Sequence, residues 1–250
     1  MQQILERLNT PDYIFLVGTI SGAVNLSDDR LLTTLLSRYE NGGAEEDRAA
    51  LCRAIASEVR YLGSSDMAYA FRRLSGRAPG VPFREIISDV ARVLKVRLDW
   101  MGTDEELLQA LVTEYATAQF AEMDQKDQQR MLEELGVDKQ RAASFVKRSA
   151  GVFAPPLLIE AFNAVVIEGL IKKIILGTIA RFLGSELTRK LFTFIVGRFP
   201  WWIGWIGPAV WAGSIGWTVV DLQGPAYRKT IPIVLYLGLC QLRSEGPEDA

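Results

Sequence analysis

The chain of 250 residues is long enough for one large domain or two small ones, since domains usually contain about 100–200 residues. Hydrophobic residues make up 49% and charged residues 23%, which excludes disordered and fibrous proteins. The sequence contains no histidine, which excludes Ser-His-Asp and Cys-His catalysis and every histidine metal site. Two cysteines, Cys52 and Cys240, are too few for a zinc site or a disulfide framework. We therefore expect neither a metal nor a cofactor.

Charged residues are distributed unevenly along the chain. Residues 1–150 carry 19 basic and 23 acidic side chains, whereas residues 151–250 carry 9 and 7. This contrast predicts an amphipathic helical domain over 1–150, an apolar Trp/Gly/Pro-rich helical region over 151–243, and an acidic tail over 244–250. The formal net charge of −2 does not favour nucleic-acid binding, which typically requires a strongly basic face.

Helical periodicity is strong throughout and strand signals are weak, so the sequence predicts an all-α fold, a helical bundle packed with an apolar C-terminal hairpin. The first predicted helix runs from Asp12 to Val24 and is interpreted as a core helix. Ser27 is the predicted N-cap of the second helix. The apolar face of that second helix contains Leu31, Leu32, Leu35 and Leu36.

Further helices are predicted from apolar faces and from capping residues. One runs from about Ala44 to Leu62, and Gly63 suits its C′ position. The sequence Thr103-Asp-Glu-Glu106 has the form of a capping box, and Asp124 is a predicted N-cap, as is Asp138. Another helix is predicted between Gly63 and Thr103. Its apolar face contains Phe83, Ile86, Ile87, Val90, Val93 and Leu94.

The last hundred residues are predicted as apolar helices separated by turns. A long helix is expected from about Leu157 to Leu183, and Gly184-Ser185 is expected to restart a helix that ends near Arg198. The segment Asp221–Pro232, with a turn at Gly224-Pro225, is expected to precede an apolar helix that ends at Leu242.

The run Phe199–Val220 contains 22 residues without a charge and five of the six tryptophans. Pro200 and Pro208 interrupt it, so no piece is a conventional single-pass membrane span. Three interpretations remain: an interfacial or re-entrant hairpin, a buried helical hairpin, and an oligomer interface. The predicted membrane or partner contacts are Trp201, Trp202, Trp205, Trp211, Trp217, Lys172, Lys173, Arg181 and Arg198.

Catalytic motifs are not evident in the sequence. Ser144-Phe-Val-Lys147 matches the S-x-x-K pattern, but its companion motifs are missing, and we interpret both residues as helix surface. Asp221, which follows the uncharged run, is interpreted as a cap or ion-pair partner. We therefore expect a protein that is not an enzyme.

Four blocks resemble the YaaW-type family of uncharacterised bacterial proteins, over about residues 50–240. They are Ile55–Gly63, Gly80–Ala91 with Leu94-Lys95-Val96, Met123-Asp124 with Met131-Leu132, and the unusual block Gly224–Pro232. The motif residues of that last block are Gly224, Pro225, Ala226, Tyr227, Arg228, Thr230 and Pro232. The family is remotely grouped with ubiquinol–cytochrome c chaperones, and the resemblance implies a helical fold, no catalytic residues and a role in assembling a membrane complex.

The residues and the resemblance together give three functional expectations. The first is a non-enzymatic helical protein whose apolar C-terminal hairpin associates with membrane lipid or a membrane protein. The second is a soluble chaperone or adaptor for a membrane complex, and the third is a pore-forming or toxic effector that releases its hairpin. We expect a cytoplasmic protein, peripheral to or partly inserted in the inner membrane, that does not bind nucleic acid and could form homo-oligomers.

Overall fold

A computed structural model describes residues 1–21, 29–63, 80–149, 158, 160–198 and 227–243; of Asp29, residues 183–198 and Arg243 it describes the backbone alone. Within those ranges the fold is all-α and without a strand, which confirms the predicted fold class. The helices are α1 (Gln2–Glu6), α2 (Thr10–Ser21), α3 (Asp29–Glu40), α4 (Glu45–Leu62), α5 (Phe83–Val93), α6 (Asp104–Glu122), α7 (Gln125–Glu134), α8 (Lys139–Ser149), α9 (Ala164–Arg198) and α10 (Tyr227–Arg243).

The C-terminal helix α10 lies at the centre of the structure. Every residue from Lys229 to Gln241 is buried, and α10 contacts α2, α4, α5, α6 and α9. A helix that is apolar on all sides is buried in the middle of a larger protein. One hydrophobic cluster extends from Ile4 in α1 to Cys240 in α10, so both ends of the chain contribute to the same core.

Two polar contacts fix the direction and register of α10 against α2. The Tyr236 hydroxyl donates to Asp12 Oδ1 at 2.6 Å, near the start of α2. The Lys229 ammonium donates to the carbonyl of Ile20, near the end of α2. Since the later residue of α10 meets the earlier residue of α2, the two helices run antiparallel.

Capping side chains begin several helices where the sequence predicts them. Thr103 Oγ1 accepts from the Glu106 amide at 3.2 Å, and Glu106 Oε2 accepts from the Thr103 amide at 2.6 Å, which completes the capping box of α6. Asp124 accepts from the Asp127 amide at 2.8 Å at the start of α7. Asp138 accepts from the amides two and three residues later, at the start of α8. The hydrogen bonds that Thr103 gives and receives also hold the pKa of the Glu106 carboxyl below its usual value.

Replacing Thr103 with alanine should lower the free energy of unfolding by about 0.5–2 kcal/mol, because the Glu106 amide loses its acceptor. Urea unfolding followed by circular dichroism measures the change. Thr34→Ala is the control, since the exposed Thr34 hydroxyl donates to the Arg30 carbonyl one turn earlier in α3, at 2.6 Å. A loss as large in Thr34→Ala would contradict the assignment of Thr103 as the cap.

Most predicted apolar faces are buried, with one exception in α3. The predicted faces of α4 and α5 lie in the core. In α3 Leu32 is buried, but Leu31 is 51% exposed, so the prediction for Leu31 is wrong. In the described structure helix α3 packs mainly against α4 and α2, and these contacts bury a narrower stripe of α3 than its apolar spacing predicts.

Gly63 ends α4 for a different reason from the one predicted. Its φ is −73°, which any residue adopts, so it is not a left-handed cap. A Cβ atom at Gly63 would lie 2.6 Å from Ile86 Cγ1, so glycine is needed for the close approach of α5. By contrast Gly136 has φ +83°, and the Val137 amide donates to the Leu132 carbonyl, which forms a left-handed turn between α7 and α8.

Three predicted boundaries in the C-terminal region are wrong. Helix α9 begins at Ala164, where Asn163 Oδ1 accepts from the Val166 amide at 3.0 Å. It passes through Gly184 to Arg198 without a break, because one helical glycine costs only about 1 kcal/mol. Helix α10 begins at Tyr227 and contains Pro232, so it starts within the segment that was predicted to precede it, while the predicted turn at Gly224-Pro225 lies outside the described residues.

Candidate functional site

A cleft of about 110 Å³ lies between α7 and α9, next to the end of α6. Its apolar wall is formed by Met123, Met131, Ile174 and Gly177. Its other lining residues are polar or charged: Asp127, Arg130, Glu134, Lys173, Thr178 and Arg181. The two methionines are flexible and polarisable, so this wall can adapt to the shape of a bound apolar group.

Charged residues of the cleft are mostly paired within the protein. Arg130 lies 3.4 Å from Asp127, one turn apart on α7. Lys173 of α9 is only 8% exposed and binds Glu134 of α7. Arg181 makes neither a hydrogen bond nor an ion pair with any residue that the structure describes. The lining therefore carries one unpaired positive charge.

Arg181 lies beside a buried tyrosine at one end of the cleft. Partial burial lowers the pKa of its guanidinium, although arginine stays charged near neutral pH. The neighbouring Tyr115 hydroxyl lies 3.3 Å from Thr178 Oγ1, and Thr178 in turn donates to the Ile174 carbonyl at 2.9 Å. Burial raises the pKa of Tyr115 to about 12, so its hydroxyl remains protonated near neutral pH.

All four predicted basic contact residues lie on α9. Lys172 binds Glu168 one turn earlier, Lys173 binds Glu134, and Arg181 lines the cleft. Arg198 is the last residue of α9, and only its backbone is described. The five predicted tryptophans, Trp201, Trp202, Trp205, Trp211 and Trp217, lie outside the described residues.

The family motif falls in part on the first turns of α10. Gly224, Pro225 and Ala226 precede the helix and lie outside the described residues. Tyr227 is half-buried and Arg228 is exposed, whereas Thr230 and Pro232 are buried. The motif thus changes from surface to core within two turns.

A buried polar cluster was not predicted from the sequence. Asp12 is 2% exposed, and its carboxylate accepts from the Asn9 amide at 3.0 Å and from Tyr236. Cys240 Sγ lies 3.9 Å from Asp12 Oδ1. The spacing Asn9-x-x-Asp12 resembles a capping box and signals the helix start, but it does not identify partners more than 200 residues away.

An exposed apolar turn precedes α6. Met101 is 91% exposed and Trp100 is 39% exposed. Arg84 holds the turn by donating to the carbonyls of Trp100 and Gly102, and its Nε lies 3.3 Å from Asp104. The turn therefore presents two apolar side chains on a fixed backbone.

No helix in the described ranges is both long and apolar enough to cross a membrane. Among the same residues, no group of three or more cysteine, aspartate or glutamate side chains is arranged to hold a metal ion.

The architecture is thus an all-α protein built around a buried C-terminal helix, with a small half-apolar cleft on its surface. Over 219 residues the chain is 26% identical to a UPF0174 protein of Helicobacter pylori, and the alignment covers 84% of this chain and 79% of that protein. This similarity relates the chain to an uncharacterised protein family. No family model matches the chain, and no solved structure matches it.

Proposed function

We propose that this is a non-enzymatic helical protein whose Phe199–Val220 segment associates with a membrane or a membrane protein. The observation that carries the proposal is a run of 22 uncharged residues with five tryptophans, placed between two helices of the core. Tryptophan is enriched where a protein meets the membrane–water interface, because the indole ring is apolar but its N–H is polar.

The packing of α10 restricts where such an association could occur. The side chains from Ile231 to Leu239 are already buried against other helices, so α10 has no apolar face left for lipid. The uncharged run lies just before this helix in the sequence and after α9. A segment joined at both ends to packed helices can contact a membrane while the rest of the fold stays intact.

Charges near the segment suit an anionic surface. Arg198 precedes the run, and Arg228 is exposed in the first turn of α10. Each basic residue close to an anionic membrane contributes about 1 kcal/mol of attraction. Lys172 and Lys173 are already paired with carboxylates and contribute less. In this proposal the protein is cytoplasmic and peripheral to, or partly inserted in, the inner membrane.

Vesicle co-sedimentation tests the proposal. We expect the full chain to sediment with vesicles containing phosphatidylglycerol, and the double variant Trp201→Ala, Trp202→Ala to bind about tenfold more weakly. Trp100→Ala is the matched control, because Trp100 is an exposed tryptophan of the described structure outside the segment. A wild-type protein that stays in the supernatant, or equal losses in both variants, would refute the proposed contact.

A second candidate is a chaperone or adaptor for the assembly of a membrane complex. The resemblance to YaaW-type proteins, and their remote grouping with ubiquinol–cytochrome c chaperones, supports it. The accessible Tyr227 and Arg228 of the family motif give a partner protein two side chains to recognise. This candidate is favoured if the protein does not bind vesicles but captures a partner protein, and if Arg228→Ala abolishes that capture. Release of dye from vesicles instead favours a pore-forming effector.

A further inference from the structure

We propose that the cleft between α7 and α9 binds a small organic anion with a compact apolar body, whose carboxylate pairs with Arg181. The class of ligand follows from the lining, which joins one unpaired guanidinium to an apolar wall of Met123, Met131 and Ile174. This inference does not rest on the proposed membrane contact, because its residues lie on α7, on α9 and in the turn between α6 and α7.

Charge pairing selects an anion. Asp127 and Glu134 are held by Arg130 and Lys173 of the same cleft, so the two acids do not neutralise Arg181. Arg181 is exposed to solvent at the open cleft, so a carboxylate can reach its guanidinium. A charge-assisted pair between arginine and a carboxylate is among the stronger hydrogen-bonded contacts in proteins.

The size and shape of the cleft select the apolar body. Its volume of about 110 Å³ is somewhat below the roughly 150 Å³ of an engineered apolar cavity that binds benzene. The cleft is open at the surface, so a single aromatic ring or a short branched chain fits within it. Among the described residues, no atom lies within 4 Å of a Cβ atom built on Gly177, so the apolar body has free space above α9 at this residue.

Methionine methyl resonances provide a specific readout with benzoate as the probe. The chain contains five methionines, of which Met123 and Met131 line the cleft and Met101 is exposed elsewhere. In the full-length protein labelled with ¹³C-methyl methionine, benzoate should shift the Met123 and Met131 resonances saturably and leave Met101 unchanged. Benzyl alcohol, which lacks the charge, should bind about tenfold more weakly.

Two variants separate the roles of charge and space. Gly177→Leu should abolish the shifts by filling the cleft, without lowering the melting temperature, because no atom of the described structure opposes the new side chain's Cβ. Arg181→Gln should remove the preference for benzoate over benzyl alcohol, while Lys126→Gln, an exposed change on α7 outside the lining, should keep it. Equal binding of acid and alcohol by the wild type, or shifts that never saturate, would overturn the proposal.

Discussion

Alanine at Gly238 should lower the free energy of unfolding by about 1–3 kcal/mol, whereas alanine at Gly177 should raise it by about 0.5–1 kcal/mol. Both glycines lie inside helices, so both substitutions gain the same helix propensity. At Gly238 a Cβ atom would lie 2.4 Å from Val112 Cγ1 and 2.9 Å from the Leu108 carbonyl oxygen. The second contact is backbone, so α6 and α10 must move apart to admit a methyl group.

The two substitutions control for each other, because the chemical change is identical and only the surroundings differ. Urea unfolding of both variants and the wild type measures the two changes in free energy. A gain in both variants would show that α6 and α10 do not approach as closely as the structure indicates. A loss in both would also question the free space above Gly177 on which the ligand proposal depends.

Local features of this fold follow directly from the sequence. Caps such as Thr103 and Asp124 involve residues three positions apart, and the chemistry of a helix start selects those residue types. The buried faces of α4 and α5 follow from the spacing of their apolar residues. These predictions succeed because each depends on contacts within one helix or on one helical face.

Proline and glycine gave misleading signals in the C-terminal region. Pro232 lacks an amide hydrogen, which removes the bond to the Arg228 carbonyl four residues earlier. Arg228 is exposed, so water can satisfy that carbonyl, and the helix persists through the proline. Packing of α10 against five helices then outweighs the cost of the hydrogen bond lost at Pro232. The sequence alone shows only the proline, and so places the start of the helix too late.

Components of the cleft were visible in the sequence, but their grouping was not. Lys173 and Arg181 were singled out as basic residues among apolar ones. Their different roles depend on Glu134, which lies 39 residues before Lys173 and neutralises it, while Arg181 has no such partner in the described structure. Nothing in the local pattern distinguishes the two cations, because the pairing is set by how α7 packs on α9.

Removing the hydroxyl of Tyr236 should lower the free energy of unfolding by about 1.5–3 kcal/mol. This loss is larger than that expected when a hydroxyl is removed from a hydrogen bond between two neutral groups. Tyr236 is 1% exposed and donates to Asp12 Oδ1 at 2.6 Å. Phenylalanine keeps the stacking of this ring on Phe15, whose centroid lies 3.9 Å away, so Tyr236→Phe deletes only the polar contact. The cost arises because a buried carboxylate oxygen loses a donor that water cannot replace.

Tyr115→Phe is the matched control for this prediction. Tyr115 is also buried, but its hydroxyl meets the neutral Thr178 hydroxyl, which keeps its own bond to the Ile174 carbonyl. Its loss should cost about 0.5–1.5 kcal/mol. A double-mutant cycle of Tyr236→Phe with Asp12→Ala should show a coupling free energy of about 1 kcal/mol or more, because either single substitution already removes the hydrogen bond between the two side chains. Additive losses would instead mean that the Tyr236–Asp12 hydrogen bond does not help to set the register of α10 against α2.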